Sequence, residues 1–108
     1  MQTTNGFIVL HRRLIQWEWW DDHNTTRLFL YLLLMANYED GRWMGKVIPR
    51  GSLITSLSKL SKGTGLSTQC TRTSLDRLNS TQEITKKSHN KYTEISINNY
   101  DKYQTTLS

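Results

Sequence analysis

The chain has 108 residues, enough for one small domain with one core, and 36% of them are apolar, including four Trp and five Tyr, which excludes a disordered chain. A lone cysteine, Cys70, excludes an internal disulfide and gives no sign of an oxidising compartment, so a cytoplasmic location is expected. The formal charge of +5 is uneven: residues 42–91 hold ten basic residues against two acidic ones, whereas residues 1–41 hold three against five, so the second half suits a polyanion partner.

Residues 1–6 read as a flexible N-terminus without the basic-then-apolar order of a signal peptide. From residue 10 to 20, Leu10, Leu14 and Trp17 follow spacings of four and three, which predicts a short first helix. Asp21, Asp22, His23 and Asn24 break that pattern, and Asn24 or Thr25 is the expected cap of a second helix reaching about Ala36. Residues 28–35 of that helix are apolar all round, so it needs cover on every side. The run is far shorter than the ~20 residues of a membrane span. A second subunit is one source of cover, and a homo-oligomer through the N-terminal helices is expected.

Residues 37–45 read as a turn-rich connection. Residues 46–48 and 52–55 read as short strands around the Pro49-Arg50-Gly51 turn. Thr55 or Ser56 caps a third helix with Leu57 and Leu60 inside, ending near Gly63 to Gly65. Ser67 caps a fourth helix that ends around residues 79–82. Its Thr71, Ser74, Leu75 and Leu78 recur at i, i+3, i+4 and i+7 as a buried face, while Gln69, Arg72, Thr73 and Asp76 form a polar one. Residues 84–87 and 92–97 read as two strands around a tight turn at 88–91, with Thr93, Ile95 and Ile97 on one buried face. Residues 105–108 read as a flexible tail.

The order helix, turn, helix, hairpin predicts a mostly α domain with a small β-sheet: an α+β winged helix-turn-helix over residues 7–104. Its fourth helix is placed to enter a major groove. Thr68, Gln69, Arg72 and Thr73 lie near that helix's N-terminus, where Arg pairs with guanine and Gln with adenine. Ser67 sits where backbone amides position a phosphate, and Arg77 is grouped with this set. Lys86, Lys87, His89 and Lys91 fall within six residues of the hairpin, as a wing gripping the backbone requires. The expected partner is DNA, duplex or single-stranded. No membrane partner is expected.

No catalysis, cofactor or metal is expected. Cys70 has no zinc spacing to His11, His23 or His89, and no Gly-rich phosphate loop is present. Glu18, Asp21, Asp22 and His23 lack a second acidic cluster to make a nuclease centre. Trp17, Trp19 and Trp20 lie in the acidic half and read as core or dimer residues rather than base-stacking ones.

Several strings, among them Leu14-Ile15-Gln16-Trp17-Glu18-Trp19, Leu28-Phe29-Leu30-Tyr31-Leu32-Leu33, Arg50-Gly51-Ser52-Leu53-Ile54-Thr55-Ser56, Gly65-Leu66-Ser67-Thr68-Gln69, Arg72-Thr73-Ser74-Leu75 and Asn99-Tyr100-Asp101-Lys102-Tyr103-Gln104, resemble the N-terminal domain of DnaD-type replisome organisers of phages and bacteria. The resemblance spans residues 7–104. It implies a winged helix, oligomerisation, and a part in starting DNA replication by bringing replication proteins such as a helicase loader to DNA. A transcription regulator of the same fold and a protein-docking module without DNA contact are the alternatives. Gln82 stands where those proteins have glycine, which permits positive φ at little cost. Gly63 stands where a helix former is usual, and it is expected to weaken that turn by roughly 1 kcal/mol relative to alanine.

Overall fold

A computed structural model of the chain describes residues 6–104. The expected tail at 105–108, and the expected loose N-terminus apart from Gly6, lie outside the described residues.

The first helix is not the α-helix that the spacing suggests. Only Arg12–Gln16 is helical, as a 3-10 turn. Leu10 and Ile15 are exposed, whereas Trp17 and Trp19 both pack against the core. Side chains two apart cannot share one face of a helix. The chain therefore proceeds by turns, with the Trp20 N–H donating to the Trp17 carbonyl and the Asp22 N–H to that of Trp19, each at 2.9 Å. The indole N–H groups of Trp17 and Trp19 donate to Glu83 (3.2 Å) and Thr81 (2.9 Å), residues more than sixty positions later in the chain, which fixes this segment to a distant turn.

Helix α1 spans His23–Met35. Its cap is Asp22, not Asn24 or Thr25: one carboxylate oxygen accepts the Thr25 N–H at 3.1 Å and the other accepts its hydroxyl at 2.7 Å. Two acceptor oxygens let Asp22 take both donors of Thr25, which lies buried as an interior residue 3.0 Å from the Ser74 hydroxyl rather than serving as the cap. Leu28, Phe29, Leu32 and Leu33 are fully covered by the chain itself. Leu34 is not, at 59% exposure.

The connection after α1 contains a hairpin that the turn-rich composition hides. Strands β1 (Gly41–Trp43) and β2 (Lys46–Ile48) pair antiparallel around Met44 and Gly45. Both turn residues have positive φ, 51° and 78°, as the two-residue hairpin turn demands. Strand β2 therefore pairs backward with β1, not forward across Pro49-Arg50-Gly51. Gly51 has φ +82° and lies against Tyr100, whose Cβ would stand 2.8 Å from any Cβ added there. Only glycine satisfies both conditions.

Strand β3 (Ser52–Thr55) leads to α2 (Leu57–Thr64) and α3 (Thr68–Ser80). Ser56 caps α2, Gly65 ends it in the left-handed conformation, and Ser67 caps α3. Thr71, Ser74, Leu75 and Leu78 are all buried, as their spacing implies. Gly63 has a use that its helix propensity does not suggest. A Cβ there would overlap the Tyr31 phenol, so glycine lets α1 and α2 approach. Strands β4 (Ile84–Ser88) and β5 (Thr93–Ile97) follow, and the sheet order is β3-β5-β4, all antiparallel. Gln82, at the turn into β4, does take positive φ, +66°.

On β5, Ile95 and Ile97 are buried on the helix side as expected, yet Glu94 on the opposite face is buried too. The β1–β2 hairpin covers it, and Lys46 Nζ lies 2.8 Å from its carboxylate. The described residues thus form an α+β fold of three α-helices and two small antiparallel sheets. Among the described residues, no helix is long and apolar enough to cross a membrane.

Candidate nucleic-acid interface

The turn between α2 and α3 is short because its polar groups are satisfied locally. The Ser61 hydroxyl donates to the Leu66 carbonyl (2.6 Å), and the Leu66 N–H donates to the Thr64 hydroxyl (3.2 Å). This anchors Ser67, whose side chain accepts the Cys70 N–H at 3.1 Å. The first turn of α3 is thereby held with its outer face open. Ser67, Thr68, Gln69 and Arg72 are exposed there, and Thr73 is half-buried. Gln69 spans Arg72 and Thr73 through long contacts of 3.5 and 3.4 Å, loose enough to be exchanged for a ligand.

Lys86, Lys87, His89 and Lys91, the four residues expected to form a basic wing, do not share one surface. Strand alternation sends neighbours to opposite faces. Lys86 opposes Ile95 and lies on the helix side, where its ammonium sits 3.3 Å from Asp76 of α3. Arg72, Lys86 and Ser88 line one small hollow of about 170 Å³ between α2, α3 and β4. Lys87 opposes Glu94 and lies on the other face, with the β1–β2 hairpin. His89 and Lys91 are exposed in the turn between β4 and β5.

Arg77 is placed apart from this set. Its guanidinium pairs with Asp22, the cap of α1, and lies 5.7 Å from the centre of the Trp19 ring. It ties α3 to the segment before α1. Burial disfavours the Asp22 charge, but the Thr25 hydroxyl and amide, together with Arg77, outweigh that and hold the carboxyl below its ordinary 3.8.

The sequence reading missed the aromatic side of the β4–β5 hairpin. Tyr92 stacks on His89 with ring centres 4.4 Å apart, and Trp43 of β1 meets the Tyr92 ring at 4.6 Å. Lys46 lies 5.6 Å over Tyr92, and its hydrogen bond to Glu94 raises the Lys46 pKa. The signal was present: a residue followed by glycine, Met44-Gly45, lies between two short segments with β-forming Trp43 and Val47-Ile48.

Cys70 is half-buried and free. Among the described residues, no three His, Cys, Asp or Glu side chains come together as a metal site would require. No protein family, curated protein or solved structure matches the chain.

Proposed function

We propose that the chain is a DNA-binding winged helix-turn-helix module, with α3 entering the major groove and the β4–β5 hairpin as the wing. One observation carries the reading: the open face of α3 and the helix-side face of the hairpin converge, bringing Arg72 and Lys86 to a common hollow. The order α1, β3, α2, α3, β4, β5, with the β1–β2 hairpin inserted between α1 and β3 and with β5 central in its sheet, supports the winged-helix description. In this reading Ser67 and Thr68 approach a phosphate, Gln69 and Arg72 reach base edges, and Lys86 grips the backbone.

The resemblance to DnaD-type replisome organisers makes replication initiation the favoured setting. Self-association belongs to the same reading. Trp20 and Leu34 remain 38% and 59% exposed beside Leu30 and Gly63, around a groove of about 500 Å³. Leu34→Glu is expected to abolish association seen by sedimentation, and a strict monomer at high wild-type concentration would remove that part of the proposal.

The test of DNA binding is the affinity of wild-type, Arg72→Ala and Lys86→Ala chains for a mixed-sequence duplex. Arg72→Ala is expected to weaken binding roughly tenfold, as losing a base or phosphate contact does. Equal affinity in all three chains would remove the α3 face from the account.

A further inference from the structure

The geometry points to a second nucleic-acid surface, formed by the β1–β2 hairpin and the tip of the β4–β5 hairpin, which takes unpaired bases of a single strand. It lies on the sheet face opposite α3 and Lys86, so it shares the β4–β5 hairpin with the duplex-binding surface proposed above but uses other side chains and does not rest on that reading.

Three observations support it. First, Trp43, Tyr92 and His89 form a continuous run of rings with centres 4.6 and 4.4 Å apart, built from two hairpins distant in sequence. Its ends stay open: Trp43 is 38% exposed and His89 is exposed. A π-face at the surface accepts any base by stacking, but only a base not already stacked in a duplex is free to use it.

Second, the elements that carry the run are basic: Lys46 lies 5.6 Å over the Tyr92 ring, Arg42 adjoins Trp43 in β1, and Lys87 and Lys91 belong to the hairpin that carries His89 and Tyr92. Arg42, Lys87 and Lys91 are exposed, and among the described residues none of them enters an ion pair. The carboxylate within this surface, Glu94, is buried and already matched by Lys46. The acids that precede the hairpin are Glu39 and Asp40, and Asp40 accepts the Arg50 backbone N–H at 2.8 Å. A strand of phosphates complements such a surface better than a neutral or basic protein does.

Third, the hairpin is expensive for what it contributes to the fold. Met44 and Val47 are 83% and 52% exposed, and of the six strand residues only Ile48 is fully buried. Met44 also holds positive φ, a conformation disfavoured without glycine. A strained, outward hairpin whose contacts to the β4–β5 hairpin are a half-exposed ion pair, Lys46–Glu94, and the packing of Trp43 and Lys46 on Tyr92 is better explained by a ligand than by packing alone.

The test uses fluorescence anisotropy of the full chain with labelled oligothymidylate of about 20 nucleotides, and separately with a mixed-sequence duplex. Trp43→Ala is expected to weaken binding to the single strand about tenfold, the loss typical of one stacked base, and to leave duplex affinity within about twofold. Arg42→Gln guards against a merely loosened hairpin, because the Arg42 side chain makes only a long 3.4 Å contact to the Gly45 carbonyl. It should reduce the single-strand salt slope by about 0.7. Arg72→Ala should do the reverse of Trp43→Ala, weakening duplex and sparing single strand. Undiminished single-strand binding in Trp43→Ala would overturn the proposal, as would equal loss on both nucleic acids or an unchanged salt slope in Arg42→Gln. Absence of any single-strand binding at low salt would also overturn it and assign the Trp43, Met44 and Val47 surface to a protein partner. Loss of duplex binding alone would instead refute the α3 reading and leave this one standing.

Discussion

Replacing Arg77 with alanine separates the residues that hold the domain together from those that face a ligand. Arg77 lies on the same helix as Arg72 and carries the same charge, but its guanidinium is spent on Asp22 and Trp19. An ion pair whose arginine is 47% exposed contributes about 0.2–1 kcal/mol. Stacking on the indole adds about 0.5–1 kcal/mol. The sum is about 1–2 kcal/mol, which lowers the Tm of a domain this size by about 5–15 °C. The ionic share should shrink in about 1 M salt, where the Debye length is about 3 Å. Duplex affinity should stay within about twofold of wild type, because only the single positive charge of a side chain apart from the α3 face is lost. Urea unfolding followed by tryptophan fluorescence, paired with duplex anisotropy, reads both quantities. An Arg77→Ala chain of wild-type stability that binds duplex as poorly as Arg72→Ala would refute the assignment and return Arg77 to the binding face.

Gly51→Ala should cost about 2–4 kcal/mol in urea unfolding, combining left-handed strain with the overlap on Tyr100. Gly65→Ala, at φ +78° with nothing within 4 Å, should cost only about 1 kcal/mol, and equal losses at the two sites would deny the Tyr100 contact its role. Gln82→Gly should stabilise the domain by about 0.5–1 kcal/mol by relieving positive φ; a loss in the same assay would mean that the glutamine side chain contributes more than its backbone costs. Asp22 has a folded-state pKa below its ordinary value, so its stabilisation is present above about pH 4 and is lost as pH falls through the lower folded value. The stability gap between wild type and Asp22→Asn should therefore be full at neutral pH and narrow as acid protonates the carboxyl, and a gap that stays constant across the acid range would contradict that cause.

What was legible in the sequence was what is decided locally. Ser56, Ser67 and Gly65 mark helix ends through contacts with their own neighbours, and the Thr71, Ser74, Leu75, Leu78 stripe is a consequence of helical spacing alone. Distant contacts decided the rest. The Trp17–Trp20 segment turns because Glu83 and Thr81 receive its indoles, and no local pattern announces those partners. Gly63 looks like a poor helix residue until Tyr31 is seen against it. The α3 half of the proposed binding site was legible as an exposed polar face. The division of Lys86 from Lys87 followed in principle from strand alternation, but what each face meets, α3 on one side and the β1–β2 hairpin on the other, depends on tertiary packing.

The most direct test is an amide chemical-shift titration of the chain with a mixed-sequence duplex at low and moderate salt. The expected result is a contiguous set of perturbed resonances over residues 67–73 and 84–88, fading as salt rises, with the Trp20 and Leu34 face unmoved at constant protein concentration. Perturbations confined to the α1 face, or none at low salt, would contradict the claim that this fold presents α3 and its wing to DNA.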